Sequence, residues 1–268
     1  MTALRTRPDG TDFPGDCAFL YQGVAAMFVR FLSLMIPLAL LTAGSPAAEA
    51  RESRKDKAVP VVVTQTKETQ SAMTPDAALA LLKEGNQRFV NNNMLVRDLK
   101  SQVAKTASGQ YPHSVILGCI DSRVPPELVF DQGVGDIFSP RIAGNFVNTD
   151  ILGSMEFATA AAGAKLIVVL GHTECGAVKG ACDNVQLGNL TQTLSNISPA
   201  VYSVGGFEGA RNSKNKAFVD AVTHANVDLT VKSIVTRSPV LADLIAKGQL
   251  KVVGAVHDVA TGVITFRD

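Results

Sequence analysis

"KLIVVLGH", Lys165 to His172, decides the fold. Its apolar residues run unbroken from Leu166 to Leu170, where a strand wetted on one face would alternate apolar and polar. A short continuous run of this kind predicts a strand covered on both faces, as in a parallel sheet. "SVILGC" (114–119) has the same character, and "IFSPRI" (137–142) predicts another strand whose length Pro140 limits. "KVVGAVHDV" (251–259) predicts a further one, from which "TGVITFRD" (261–268) returns antiparallel after the Thr261-Gly262 turn. Helical patterns fill the intervals: "DILGSMEFATAAAGA" (150–164), "NKAFVDAVTHANVDLTVKSIVTRSP" (215–239) and "VLADLIAKGQ" (240–249). Ahead of them, "TPDAALALLKEGNQRFV" (74–90) has Thr74 as N-cap, Pro75 at the first helical position and an apolar face of Leu79, Leu82 and Phe89. The expectation is an α/β domain with a mostly parallel central sheet flanked by helices.

Composition agrees with such a core and narrows the function. With 268 residues and 46% hydrophobic content, the chain can bury a full domain. A formal net charge of +1, without any Lys/Arg block, gives no electrostatic basis for binding nucleic acid. No internal repeat is visible.

The N-terminus reads as a separate device. "FLSLMIPLALLTA", Phe31 to Ala43, follows Arg30 and precedes the small-x-small sequence Ala48-Glu49-Ala50. A positive flank, a short apolar run and such a site predict a secretory signal, cleaved after Ala50. An uncleaved anchor is the alternative, but the run is shorter than the ~20 residues that span a bilayer. Met27 would begin a more ordinary signal than Met1, which makes residues 1–26, with Cys17, an upstream extension. The expected division is therefore 1–50 extension and signal, 51–72 polar linker, and 73–268 folded domain. The product is an exported, periplasmic protein with no stable membrane insertion once the signal is removed.

In parallel sheets, ligands gather at the carboxyl ends of strands. Cys119 ends one predicted strand and His172 another, with Cys175 three residues beyond His172 across a strand-to-helix turn. Two thiolates and one imidazole suit zinc, and three protein ligands with one open position is the catalytic arrangement. "GCIDSRVPPE" (118–127) adds Asp121 and Arg123 at alternating positions after Cys119. Asp121 can fill zinc's fourth place, or pair with the guanidinium fork of Arg123 and leave that place to water. A Cys119–Cys175 disulfide is the competing reading in an oxidising compartment, and it leaves Asp121, Arg123 and His172 with no shared purpose.

Cys119-Ile120-Asp121-Ser122-Arg123, followed by His172-Thr173-Glu174-Cys175-Gly176, resembles the β-class carbonic anhydrases, as do "PRIAGN" (140–145) and "DVATGVI" (258–264). The resemblance implies one Zn2+ per chain on Cys119, His172 and Cys175, with Asp121 and Arg123 as a catalytic dyad. It implies reversible hydration of carbon dioxide to bicarbonate and a proton by attack of zinc-bound hydroxide. It also implies that Gln110 hydrogen-bonds substrate, that Phe138 and Phe157 wall the pocket, and that the Gly176 N–H faces bicarbonate. In that family the glutamine and aromatics come from a neighbouring subunit, so a homodimer or higher homo-oligomer is expected. Hydrolysis of carbon disulfide or carbonyl sulfide on the same fold, or a zinc-binding protein without turnover, are the alternatives. Cys182 reads as a small apolar residue, and His113, His224 and His257 read as surface or satisfied core histidines.

Overall fold

The computed structural model describes residues 62–267, so the predicted signal, its cleavage site and Cys17 lie outside the described residues. Five strands form one sheet: β1 (Ser114–Gly118), β2 (Ile137–Phe138), β3 (Leu166–His172), β4 (Lys251–His257) and β5 (Ile264–Arg267). Their order is β2-β1-β3-β4-β5, with every pair parallel except β4 and β5. The mostly parallel sheet expected from "KLIVVLGH" is thus present. The strand predicted over 137–142 closes after two residues, because proline has no N–H for the ladder. Beyond it the chain stays beside β1 through a single bridge, Gly118 to Arg141, with Ile142 N donating to Gly118 O at 3.0 Å.

Alternation along the central strands sorts their side chains into two cores. Val115, Leu117, Ile167 and Val169 enter one cluster, while Ile116, Leu166, Val168 and Leu170 enter the other. Both faces are therefore dry, which is why these runs carry no polar residue.

The helices are α1 (Lys67–Ala72), α2 (Pro75–Val90), α3 (Leu99–Thr106), α4 (Pro126–Val129) and α5 (Thr149–Glu156). They continue as α6 (Gly176–Cys182), α7 (Gly188–Ser195), α8 (Ser198–Ser203), α9 (Lys216–Arg237) and α10 (Pro239–Ala246). Thr74 caps α2 as the sequence predicts, accepting from Ala77 N at 3.1 Å. A π turn at Phe157–Ala161 continues α5. On the first core face α9 lies close to β3 and β4, because Gly171 and Gly254 make room for Val227. A Cβ on either glycine would stand within 2.7 Å of a Val227 methyl.

The linker expected over 51–72 requires correction at its end. Thr66 and Thr69 form a reciprocal capping box that starts α1. Buried Gln70 then donates to Pro112 O at 2.7 Å and Ala162 O at 2.8 Å, which ties the helix to the domain. On the second face a buried carboxylate fixes the loop after α2. Asp131 accepts from Arg88 Nε at 2.5 Å, from Leu95 N at 3.1 Å and from Arg97. No described helix is long and apolar enough to cross a membrane.

Candidate metal centre

Three soft donors meet where β1 and β3 end. The Cys119 and Cys175 sulfurs and a His172 ring nitrogen lie within 4.8 Å of one another, and all three residues are buried. His172 Nδ1 sits 2.9 Å from Thr173 O, a contact that places the ring proton on Nδ1 and leaves Nε2 as the free acceptor. Nε2 is buried and has no hydrogen-bond partner. A dry, unpartnered imidazole nitrogen facing two thiols fits a bound metal ion, which would supply the missing contact. Cys119, Cys175 and Cys182 are all free thiols, so the disulfide alternative is not what this geometry holds.

The surroundings bias Cys119 toward thiolate. Its thiol is brought well down, chiefly by the hydrogen bond it shares with Cys175, with further help from the Gly144 N–H. Cys175 is pushed up by the same contact and by burial. The Gly144 N–H lies 3.3 Å from the Cys119 sulfur. Only glycine suits that place: its φ is +83°, and a Cβ would come within 2.3 Å of Ile197 Cδ1. Asn226 fixes the same glycine through its carbonyl, donating to Gly144 O at 2.8 Å.

Asp121 and Arg123 stand next to the donors as a closed pair. Arg123 Nε donates to Asp121 Oδ1 at 3.0 Å, Nη2 to Oδ2 at 2.8 Å, and the Arg123 backbone N to Oδ1 at 2.9 Å. The guanidinium holds the carboxyl well below the usual carboxylate range. Oδ2 also lies 3.9 Å from His172 Nε2, which puts the carboxylate within a small movement of the metal donors.

Arg141 was not singled out in the sequence. Its Nε donates to Cys119 O at 2.7 Å and its Nη2 to Asp121 O at 2.6 Å. One side chain thereby fixes the backbone at both ends of the segment carrying a donor and the carboxylate. These bonds end on carbonyls, so no residue pattern announces them. Glu174, between the donors, adopts φ +59° and pairs with Lys179.

A cleft of about 240 Å³ opens beside Cys119, Asp121 and Gly176. The structure does not bring Gln110, Phe138 or Phe157 into it. Gln110 is exposed on the loop after α3, beside Gly109 and Val134. Phe138 and Phe157 meet edge to face at 6.3 Å, and Phe157 is 56% exposed. His113 is satisfied by Ser114 and Gln132, at 2.7 Å and 3.1 Å, and His224 faces Arg267 at 2.9 Å. His257 departs from the expectation of a satisfied core histidine. It is buried as the β-sheet neighbour of His172, and neither ring nitrogen has a partner.

A carbonic anhydrase family model matches residues 114–264. Carbonic anhydrase 2 of Mycobacterium tuberculosis is 37% identical over 200 residues, covering 72% of this chain and 93% of that protein. The solved β-carbonic anhydrase CcaA aligns with a TM-score of 0.57 at 25% identity, covering 71% of this chain and 87% of that one. A structure from Sordaria macrospora, described among tetrameric β-carbonic anhydrases, aligns with a TM-score of 0.55 at 27% identity, over 71% and 95% of the two chains.

Proposed function

The chain belongs to the carbonic anhydrase family and has its β-class fold, and we propose that it hydrates carbon dioxide reversibly, giving bicarbonate and a proton, at one zinc ion per chain. The observation that carries the reading is the dry cluster of Cys119, His172 and Cys175 beside a carboxylate held by Arg123. Two thiolates and an imidazole are a zinc set, and three ligands leave a position for catalysis. When bound, zinc supplies a Lewis acid that makes water acidic enough to act as a nucleophile near neutral pH.

The protein's own groups do the rest. His172 keeps its Nδ1 proton on Thr173 O, so Nε2 presents its lone pair to the metal. Asp121 stays ionised because Arg123 covers it, and an ionised carboxylate can only accept hydrogen bonds. It therefore takes a hydrogen bond from the attacking water and orients the remaining lone pair toward carbon dioxide. The same guanidinium keeps Asp121 from becoming the fourth metal ligand. The Gly176 N–H, in the first turn of α6, faces the bicarbonate oxygen.

Gln110, Phe138 and Phe157 complete the pocket from a second copy of the chain. Their absence from the lining of their own subunit's cleft, and the exposure of Phe157, support that arrangement. We also propose export to the periplasm, supported by the charged flank, apolar run and Ala48-Glu49-Ala50. Protein isolated from its own host should then begin at Arg51 by intact mass. Stopped-flow hydration of carbon dioxide by the purified protein tests the activity itself. The reading requires turnover that a zinc chelator abolishes and added zinc restores, and it fails if zinc-loaded protein does not accelerate hydration.

A further inference from the structure

We propose that the cleft between α6 and α7 is the entry and holding space for carbon dioxide, with Leu190 and Leu194 as its specificity-determining wall. The inference rests on the function proposed above and extends it to residues outside the metal cluster and the dyad. The cleft, about 240 Å³, begins at Cys119 and Asp121 and runs along α6. There α6 presents Gly176, Ala177 and Gly180, which share a helix face and carry nothing longer than a methyl. Opposite them α7 sets Leu190 and Leu194, one helical turn apart. The fit along this seam is close: a Cβ on Gly180 would lie 3.1 Å from Leu194 Cδ1. Ile120, 63% exposed, forms the lip.

Apart from Asp121 and the Cys119 thiol, the lining side chains bring no hydrogen-bonding group. Beyond the Asp121 carboxylate and the Gly176 N–H at the metal end, the leucine-walled part gives an ion nothing in return for its lost hydration, so bicarbonate is disfavoured along it. Carbon dioxide is small, linear and uncharged, and it gives up little on leaving water. The charged side of the site lies at the metal end, where Arg123, its side chain 49% exposed, pairs with Asp121. The geometry therefore separates the two traffics, with the neutral substrate arriving through the leucine-walled cleft and the anion leaving past the guanidinium.

Leu190 is half-buried at the edge of the cleft, so a larger side chain can enter the space without displacing the core. In the zinc-loaded enzyme, Leu190→Trp should lower kcat/KM for hydration about tenfold or more while kcat changes much less. Zinc content and inhibition by azide, an anion that does not need the apolar route, should stay at wild-type values. Leu190→Ala, which widens the space, should keep kcat/KM at or above wild type. Crystals pressurised with xenon provide a readout that does not depend on turnover. Xenon should occupy the cleft in the wild type and be absent from Leu190→Trp. An unchanged kcat/KM in Leu190→Trp, or no xenon in the wild-type cleft, overturns the inference. If the wild type takes up xenon there but hydrates no carbon dioxide, the apolar cleft stands, and the assignment of carbon dioxide falls with the proposed function.

Discussion

Arg123 grips Asp121 along both carboxylate oxygens, at 3.0 Å from Nε and 2.8 Å from Nη2, while Oδ2 stands 3.9 Å from His172 Nε2. A single oxygen thus lies between the guanidinium and the metal donors. Which of the two it serves decides whether the site is open.

Removing the fork should close it. Arg123→Ala is expected to retain one zinc per chain by metal analysis and to lose about 100-fold or more in kcat/KM. Arg123→Lys should recover only part of this, because an ammonium is a point charge without the bidentate geometry. An Arg123→Ala enzyme with near wild-type activity would remove the role given to the pair.

Arg141 should matter to the metal without touching it. Its bonds to Cys119 O and Asp121 O set the backbone that aims both side chains. Arg141→Met is expected to weaken zinc binding about 10- to 100-fold, the range found when outer groups around a metal site are removed. Competition against a chelator measures this. Unchanged affinity would reduce Arg141 to a loop brace.

The second copy can be tested by complementation. Cys119→Ser should be inactive for want of metal, and Gln110→Ala should be strongly impaired for want of its substrate contact. Unfolded together and reassembled as mixed dimers, they leave one intact site per heterodimer if Gln110 acts across the interface. A 1:1 mixture should then recover about a quarter of wild-type activity, as random pairing into two-fold dimers dictates. No recovery would place Gln110 in its own subunit's site or outside the reaction.

Most of the sheet and the cluster were legible because each rests on a local pattern. Leu166 to Leu170 is apolar without a break because both faces of β3 are covered, and burial on two faces leaves no other composition. Cys119, His172 and Cys175 stood out because soft donors at strand ends have few other uses. What escaped depends on contacts that sequence does not display. Helix α1 reads as linker in the sequence because its apolar content is low, and it is held by Gln70 reaching carbonyls 42 and 92 residues away. Helices α7 and α8 are short, at 8 and 6 residues, too brief for a periodic signal to rise above the surrounding polar chain. The placement of His257 opposite His172 is a relation between strands some eighty residues apart, which no local pattern displays.

Cys182 supplies a pH-dependent readout away from the metal. Burial, and then the neighbouring Asp183 charge, push its thiol up to about 11. Iodoacetamide attacks the thiolate, so in the folded enzyme at pH 8 the peptide carrying Cys182 should be almost unlabelled by mass spectrometry. Labelling should rise steeply toward pH 11. Because the folded value lies above the unfolded one of about 8.5, stability from this group is complete below that pH and is lost progressively toward pH 11. Rapid labelling at pH 8 in the native state would contradict the burial assigned to this thiol.

The most direct measurement is a crystal structure of the zinc-loaded protein at neutral pH, with the metal located by anomalous scattering at the zinc edge. Zinc is expected about 2.3 Å from the Cys119 and Cys175 sulfurs and about 2.0–2.1 Å from His172 Nε2. Asp121 should remain on Arg123, and a water or small anion should take the fourth position. Zinc bound elsewhere would contradict the ligand assignment, and an Asp121 oxygen at about 2.0–2.2 Å from zinc would contradict the open site on which the account rests.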